Sequence, residues 1–215
     1  MRALLPGALA LLGLFVLSGP AGATDLRSQT KAWSIEGIHA LDLDLAAGQV
    51  AIEGSDGDRV RLTVGVHCED LSESDCQRRA RDIDLEATRR GDVLEIRVRN
   101  GSVWRNTRSH LRVEVQVPRT LPVDLEFKAG ELEITDLGRD VHVAMGAGEA
   151  RLRLREDDVG AVRAHVGVGD TRLRTREATY DGDGFISRSV RWEGGHGAAR
   201  VKVTLGAGEV DVRLQ

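Results

Sequence analysis

Glycine anchors a unit that recurs five times along this chain, and each copy carries apolar residues at the same alternate positions on both sides. Leu41, Leu43 and Leu45 lead to Gly48, then Val50 and Ile52. Val123, Leu125 and Phe127 lead to Gly130, then Leu132 and Ile134. Val141, Val143 and Met145 lead to Gly148, then Ala150, Leu152 and Leu154. Val162, Ala164 and Val166 lead to Gly169, then Thr171 and Leu173; Val201, Val203 and Leu205 lead to Gly208, then Val210, Val212 and Leu214. Alternation of period two places one side of each strand in a core and the other in water. The corners Gly146-Ala147-Gly148, Gly167-Val168-Gly169 and Gly206-Ala207-Gly208 let the chain bend where a Cβ would clash.

Gly130, Gly148 and Gly169 lie 18 and 21 residues apart, and Gly208 follows 39 residues later, about twice the period. A fixed period near twenty with superimposable columns predicts stacked β-coils. The fold class is therefore all-β, a single-domain β-solenoid with Gly-x-Gly corners. An antiparallel β-sandwich, with each corner a hairpin loop, is the alternative. The column after the anchor favours stacking. It reads Gln49, Glu131, Glu149, Asp170 and Glu209, and arginines follow at Arg151, Arg153, Arg172, Arg174 and Arg213. Stacked coils would set an acidic column beside a basic one, where opposite charges offset like-charge repulsion. The stretch from Tyr180 to Gly197 is read as an irregular turn of the stack.

Between the first copy and the others the chain is less regular. Ser55-Asp56-Gly57-Asp58 reads as a hairpin turn, Val60–Val66 as a strand, and Ser72 with Asp75 as the cap of a short helix over Cys76–Arg81. Cys68 and Cys76 bracket an acidic segment, and in an oxidising compartment they would pair as a structural disulfide.

The N-terminus has the parts of a secretory signal peptide: basic Arg2, an apolar run to Leu17, and small residues at Ala21 and Ala23. Cleavage after Ala23 divides the chain into a signal peptide, 1–23, and a β-strand-repeat domain, 24–215. The apolar run is broken by Pro6 and Gly7 and falls short of the ~20 residues of a spanning helix, so no stable membrane span is expected after cleavage. The expected address is the periplasm or, by secretion, the cell surface. Cleavage removes Arg2 and no other charge, taking the net charge from -4 to -5. A mildly acidic, well-mixed chain gives no support to nucleic-acid binding.

The Gly-Ala-Gly-Glu corners, their alternating strands and the signal peptide resemble the bacterial putative-adhesin family, a domain-of-unknown-function family of β-strand repeats. The resemblance covers about Ile38 to Leu214. It implies a β-solenoid and an extracytoplasmic place, and it brings no catalytic residues with it.

The chemistry on offer is sparse. A glycan-cleaving enzyme on a stacked β-scaffold needs paired acid/base groups, and the carboxylates here recur once per unit like surface decoration. No catalytic, cofactor-binding or metal residues are assigned, and no cofactor is expected. The histidines show no pairing at metal-ligand spacing, and Asp181-Gly182-Asp183-Gly184 lacks the later carboxylates of a calcium loop. Phe127 falls in an inward column. Tyr180, Phe185 and Trp192 are the place where aromatic residues gather, and they form the candidate contact surface. The reading is a non-catalytic exported envelope protein, an adhesin-like structural and interaction module. Its partner would be an envelope protein or surface polymer, or a second copy through self-association. A periplasmic accessory or sensory module of an envelope stress system is the alternative, and a glycan-active β-helix enzyme a more distant one.

Overall fold

The structure, a computed structural model, describes residues 24–68, 71–100 and 109–215. The expected signal peptide with Ala21 and Ala23, and Trp104, lie outside the described residues.

The five glycine-anchored copies are five long bent strands: β2 (Ala40–Ser55), β7 (Val123–Thr135), β8 (Val141–Leu154), β9 (Val159–Arg174) and β12 (Ala199–Leu214). They pair parallel, in the order β2-β7-β8-β12-β9. The register sets glycine on glycine: Gly48 beside Gly130, Gly130 beside Gly148, Gly148 beside Gly208 and Gly208 beside Gly169. The corners are therefore not hairpin loops, because the limbs on either side of each glycine pair with the matching limbs of the neighbouring strand. The five glycines hold φ between 125 and 139°, a region closed to residues with a side chain. A Cβ on Gly130, Gly148, Gly208 or Gly169 would collide with the carbonyl oxygen of the glycine in the adjacent strand.

The spatial order differs from the order along the chain. The last copy, β12, lies between β8 and β9, so Gly208 sits inside the stack and β9 becomes its outer member. Tyr180–Gly197 is accordingly not a further coil. It supplies β10 (Thr179–Asp181) and β11 (Arg188–Glu193), which run antiparallel along the two limbs of β9. A bent edge strand exposes unpaired N–H and C=O groups along both limbs, and one antiparallel strand covers each.

At the other end, the limbs of β2 are extended separately. Its first limb pairs with β5 (Val93–Asn100), which forms a hairpin with β4 (Ile83–Arg90). Its second limb pairs with β6 (Ser109–Pro118), which continues antiparallel to β3 (Arg59–Cys68) and then β1 (Thr24–Ser34). Because β6 comes between β2 and β3, Ser55–Asp58 is a crossing connection and not the turn of a hairpin. The helix α1 (Glu73–Arg81) begins where the cap residues place it: the Asp75 N–H donates to Ser72 Oγ at 3.2 Å. Cys76 and Ala80 are its buried residues, and the Cys68–Cys76 disulfide fastens it to the end of β3.

The inward positions of all five copies and of β3, β5 and β6 join in one continuous apolar core, Phe127 among them. Outward, the expected acidic column is present, but the row beside it interleaves Glu133, Arg151, Asp211 and Arg172, and the arginines Arg153, Arg213 and Arg174 align one row further on. Gln49, Glu131, Glu149, Glu209 and Asp170 stand side by side on successive strands. Beside them Arg151 meets Glu149, Arg153 meets Glu133, and Asp211, almost fully buried, is held by Arg213 at 3.3 Å and Arg174 at 3.6 Å.

Gly208→Ala combines a forbidden φ with a backbone collision in the middle of the column, and is expected to destabilise the protein by about 3 kcal/mol or to prevent folding. Gly57→Ala, at a site where the added carbon meets only Ser55 Oγ at 3.9 Å, should be near neutral in the same denaturation experiment.

Candidate contact surface at the capped end of the sheet

Among the described residues, the exposed large hydrophobics are Val168, Tyr180, Phe185 and Ile186, and all four belong to β9 or to the segment that caps it. Their grouping follows from the bend. The cap must cross the corner of β9, so Gly182–Ser187 arches over Gly167–Thr171 between the two short strands. The Gly182 N–H donates to the Thr171 carbonyl at 2.8 Å, and Asp183 and Ser189 exchange backbone hydrogen bonds at 3.0 Å. Two ion pairs fix the legs of the arch to β9: Arg172 Nε to Asp181 Oδ1 at 2.8 Å, and Arg188 Nη1 to Asp170 Oδ1 at 2.8 Å. The Asp-Gly-Asp-Gly segment is thus the start of a turn, as its spacing indicates. Phe185 stands at the tip, 97% exposed, with Ile186 beside it at 64%. Val168 occupies the corner residue of β9, where the four stacked copies carry Ala47, Ala129, Ala147 and Ala207.

The three aromatic residues singled out in the sequence divide between two roles. Tyr180 and Phe185 are on the exposed surface. Trp192 is half-buried, opposite Val162 on β9, and packs against the core. Its ring lies over Gly194 and Gly195, where added side chains would meet it. Ile186 and Val168 complete the apolar corner and were not picked out by residue type, although the replacement of alanine by valine in one copy was visible.

One further juxtaposition depends on strand register alone. His67 and His110 face each other across β3 and β6 with ring centroids 4.8 Å apart, although 43 positions separate them in the chain. Among the described residues no group of three or more His, Cys, Asp or Glu is placed to hold a metal ion. His142 and His165 lie in different outward rows, and His142 Nδ1 approaches Asp124 Oδ2 at 3.2 Å. An open groove of about 890 Å³ runs between the starts of β9 and β12 and the end of β11, past Arg163, Glu193, Arg200 and Lys202.

With this geometry in view, the comparisons with known proteins concern the fold. No family model matches the chain, and no curated protein matches it in sequence. The chain is similar to the solved structure of a putative cell adhesion protein from Clostridium sporogenes. That likeness has 14% identity and a TM-score of 0.55, over 88% of this chain and 99% of that one. The two share a fold. A putative adhesin from Bacteroides fragilis is matched at 8% identity and a TM-score of 0.30, over 86% of this chain and 97% of that one. No helix among the described residues is long and apolar enough to cross a membrane.

The outer face of the first limbs has its own electrostatics. Partial burial, then the neighbouring charges of Asp124, Glu95 and Glu126, raise the pKa of Asp42 above its ordinary value of 3.8, against the pull of Arg97. A carboxyl whose pKa is higher in the folded chain than in the unfolded one costs stability when ionised. Asp42→Asn should therefore raise the melting temperature at neutral pH by about 1–2 °C. The gain should shrink as pH falls through the raised pKa and vanish below 3.8, which a pH series of thermal melts would show.

At the capped end, Trp192→Ala is expected to cost about 2 kcal/mol through lost packing. Phe185→Ser, at a side chain already in water, should leave the denaturation midpoint unchanged.

Proposed function

We propose that this chain is a non-catalytic exported envelope protein, an adhesin-like interaction module whose contact surface is the apolar corner over β9. The observation that carries this reading is the segregation of exposed apolar side chains. Isolated surface hydrophobics are ordinary, but here Val168, Tyr180, Phe185 and Ile186 gather at one end of the sheet on a loop held by two ion pairs. A large apolar tip on a braced loop loses little conformational freedom on contact, which favours binding. The stacked bent strands are read as a short β-solenoid closed at the β9 end by antiparallel β10 and β11 and extended at the β2 end by parallel β5 and β6. Such a rod keeps the tip clear of the rest of the molecule. Fold likeness to the Clostridium sporogenes cell adhesion protein supports an adhesin-like role. The partner would be an envelope protein or a surface polymer.

A photocrosslinking residue placed at Ile186 in intact cells is expected to capture a defined partner, and one placed at Asp56 near the opposite end should not. Phe185→Ser in the first background should reduce capture at least roughly fivefold without altering expression, since apolar anchors dominate such contacts. Equal capture from both positions, or capture indifferent to Phe185, would sink the end-corner reading. Protease added to whole cells separates the two addresses: a surface module is cut, and a periplasmic accessory module is protected until the outer envelope is opened. Turnover of a glycan panel that is lost on replacing particular carboxylates would establish the enzyme reading instead.

A further inference from the structure

The first limbs of the bent strands, with the β4–β5 hairpin on one side and β11 on the other, form an eight-stranded face in the order β4-β5-β2-β7-β8-β12-β9-β11. Beyond the uncharged Thr88 on the β4 edge, one outward row crosses the seven strands from β5 to β11. Its first three positions are Glu95, Asp42 and Asp124, all acidic. The fourth and central position is His142. The last three are Lys202, Arg163 and Arg191, all basic. Six inter-strand spacings make the row about 29 Å long. The sign of charge changes once, at its midpoint.

Such a row is its own complement. A two-fold axis laid in the plane of the face, along the strands and over His142, stacks two copies face to face and reverses the strand order. Glu95 then opposes Arg191 of the second copy, Asp42 opposes Arg163, and Asp124 opposes Lys202. Each pairing occurs twice, as an isologous interface requires. The next outward row adds no conflict, because Asp44 comes opposite His165, Glu126 opposite Thr204, and Arg97 opposite Ser189. We infer that this face is a self-association surface through which a second copy of the chain docks by charge complementarity.

Two observations support the assignment. In the acidic half Glu95 is paired with Arg90 at 3.3 Å and Arg97 at 3.5 Å, whereas Asp42 makes no ion pair among the described residues and lies beside Asp124 and Glu95. In the basic half, Lys202 and Arg191 make no ion pair among the described residues, while Arg163 reaches Glu193 at 2.9 Å. Asp42, Lys202 and Arg191 thus lack countercharges within one copy, and the reversed copy supplies them. The part of the face that the row crosses covers about 500 Å² per copy, from seven strands of about five residues each. That puts the interface at the small, transient end of the range, and its electrostatic character makes it dependent on salt.

The surface is distinct from the apolar corner, so the test is independent of the function proposed above. Sedimentation equilibrium of the protein at low salt should show a monomer–dimer equilibrium that weakens at least roughly tenfold between about 20 and 500 mM salt. Two reversed variants decide the geometry. Arg163→Glu with Lys202→Glu leaves Arg191 as the one arginine or lysine in the row, and Asp42→Lys with Asp124→Lys leaves Glu95 as its one carboxylate. Each is expected to be monomeric alone, with an unchanged circular dichroism spectrum, and an equimolar mixture of the two should dimerise. Phe185→Ser should dimerise like the parent. A parent that stays monomeric at millimolar concentration and low salt would overturn the inference. So would reversed variants that self-associate as the parent does, or that stay apart when mixed.

Discussion

The column of glycines from Gly48 to Gly169 is the constraint on which the rest of the structure depends. At each step the space a Cβ would fill is taken by the carbonyl oxygen of the adjoining glycine, so neither strand can slide against the other without a collision. Fixed register at the corner fixes it along both limbs. Once Gly148 sits beside Gly208, Val143 must sit beside Val203 and Leu152 beside Val212. Every inward apolar residue is thereby stacked on another, and every outward charge joins a row. Parallel strands are usually buried on both faces and read as continuous apolar runs. These alternate instead, because the bend folds each strand over a shared core and leaves one face of both limbs in water.

The same property explains what could and could not be read from the sequence. Inward and outward positions, corners and charge columns were legible, since each is a matter of period and residue type. The order of the copies was not. Units that share one register are interchangeable neighbours, and nothing in their pattern says that β12 enters between β8 and β9. One trace of the arrangement does exist in the residues. β7, β8 and β12, each between two other copies, hold alanine at the corner, as does the end copy β2, while β9, with β12 on one side and the arching cap on the other, holds Val168. The helix and the disulfide were legible because cap chemistry and cysteine spacing are local. The His67–His110 pair was not, because it depends on how distant strands are registered.

The two ends of the stack meet the same difficulty in different ways. A bent strand cannot be covered by one straight partner. At β2 the solution is two independent extensions, the β5–β4 hairpin and the β6–β3–β1 meander. At β9 it is one segment with a strand on each limb and an arch across the corner. The arch cannot be hydrogen-bonded throughout, since it spans a change of direction, and it is there that Phe185 and Ile186 project. The candidate contact surface is thus a by-product of closing an edge, placed where the fold has backbone to spare.

The charged faces show where stability alone does not account for the sequence. On the second limbs the carboxylate row from Glu131 to Asp170 runs beside interleaved opposite charges: Glu149 meets Arg151, Glu133 meets Arg153, and Asp211 lies among Arg174 and Arg213. Opposite charges across neighbouring strands stabilise a sheet and like charges destabilise it. On the first limbs like charges also adjoin, Asp42 beside Asp124 and Arg163 beside Lys202 and Arg191, but there the acids fill one half of the row and the bases the other. Both faces are built from the same repeat on the same scaffold, so register cannot be the reason for the difference. Like charges adjoin on both faces, but only on the first limbs are acids and bases sorted into opposite halves of one row, the arrangement that a reversed second copy complements.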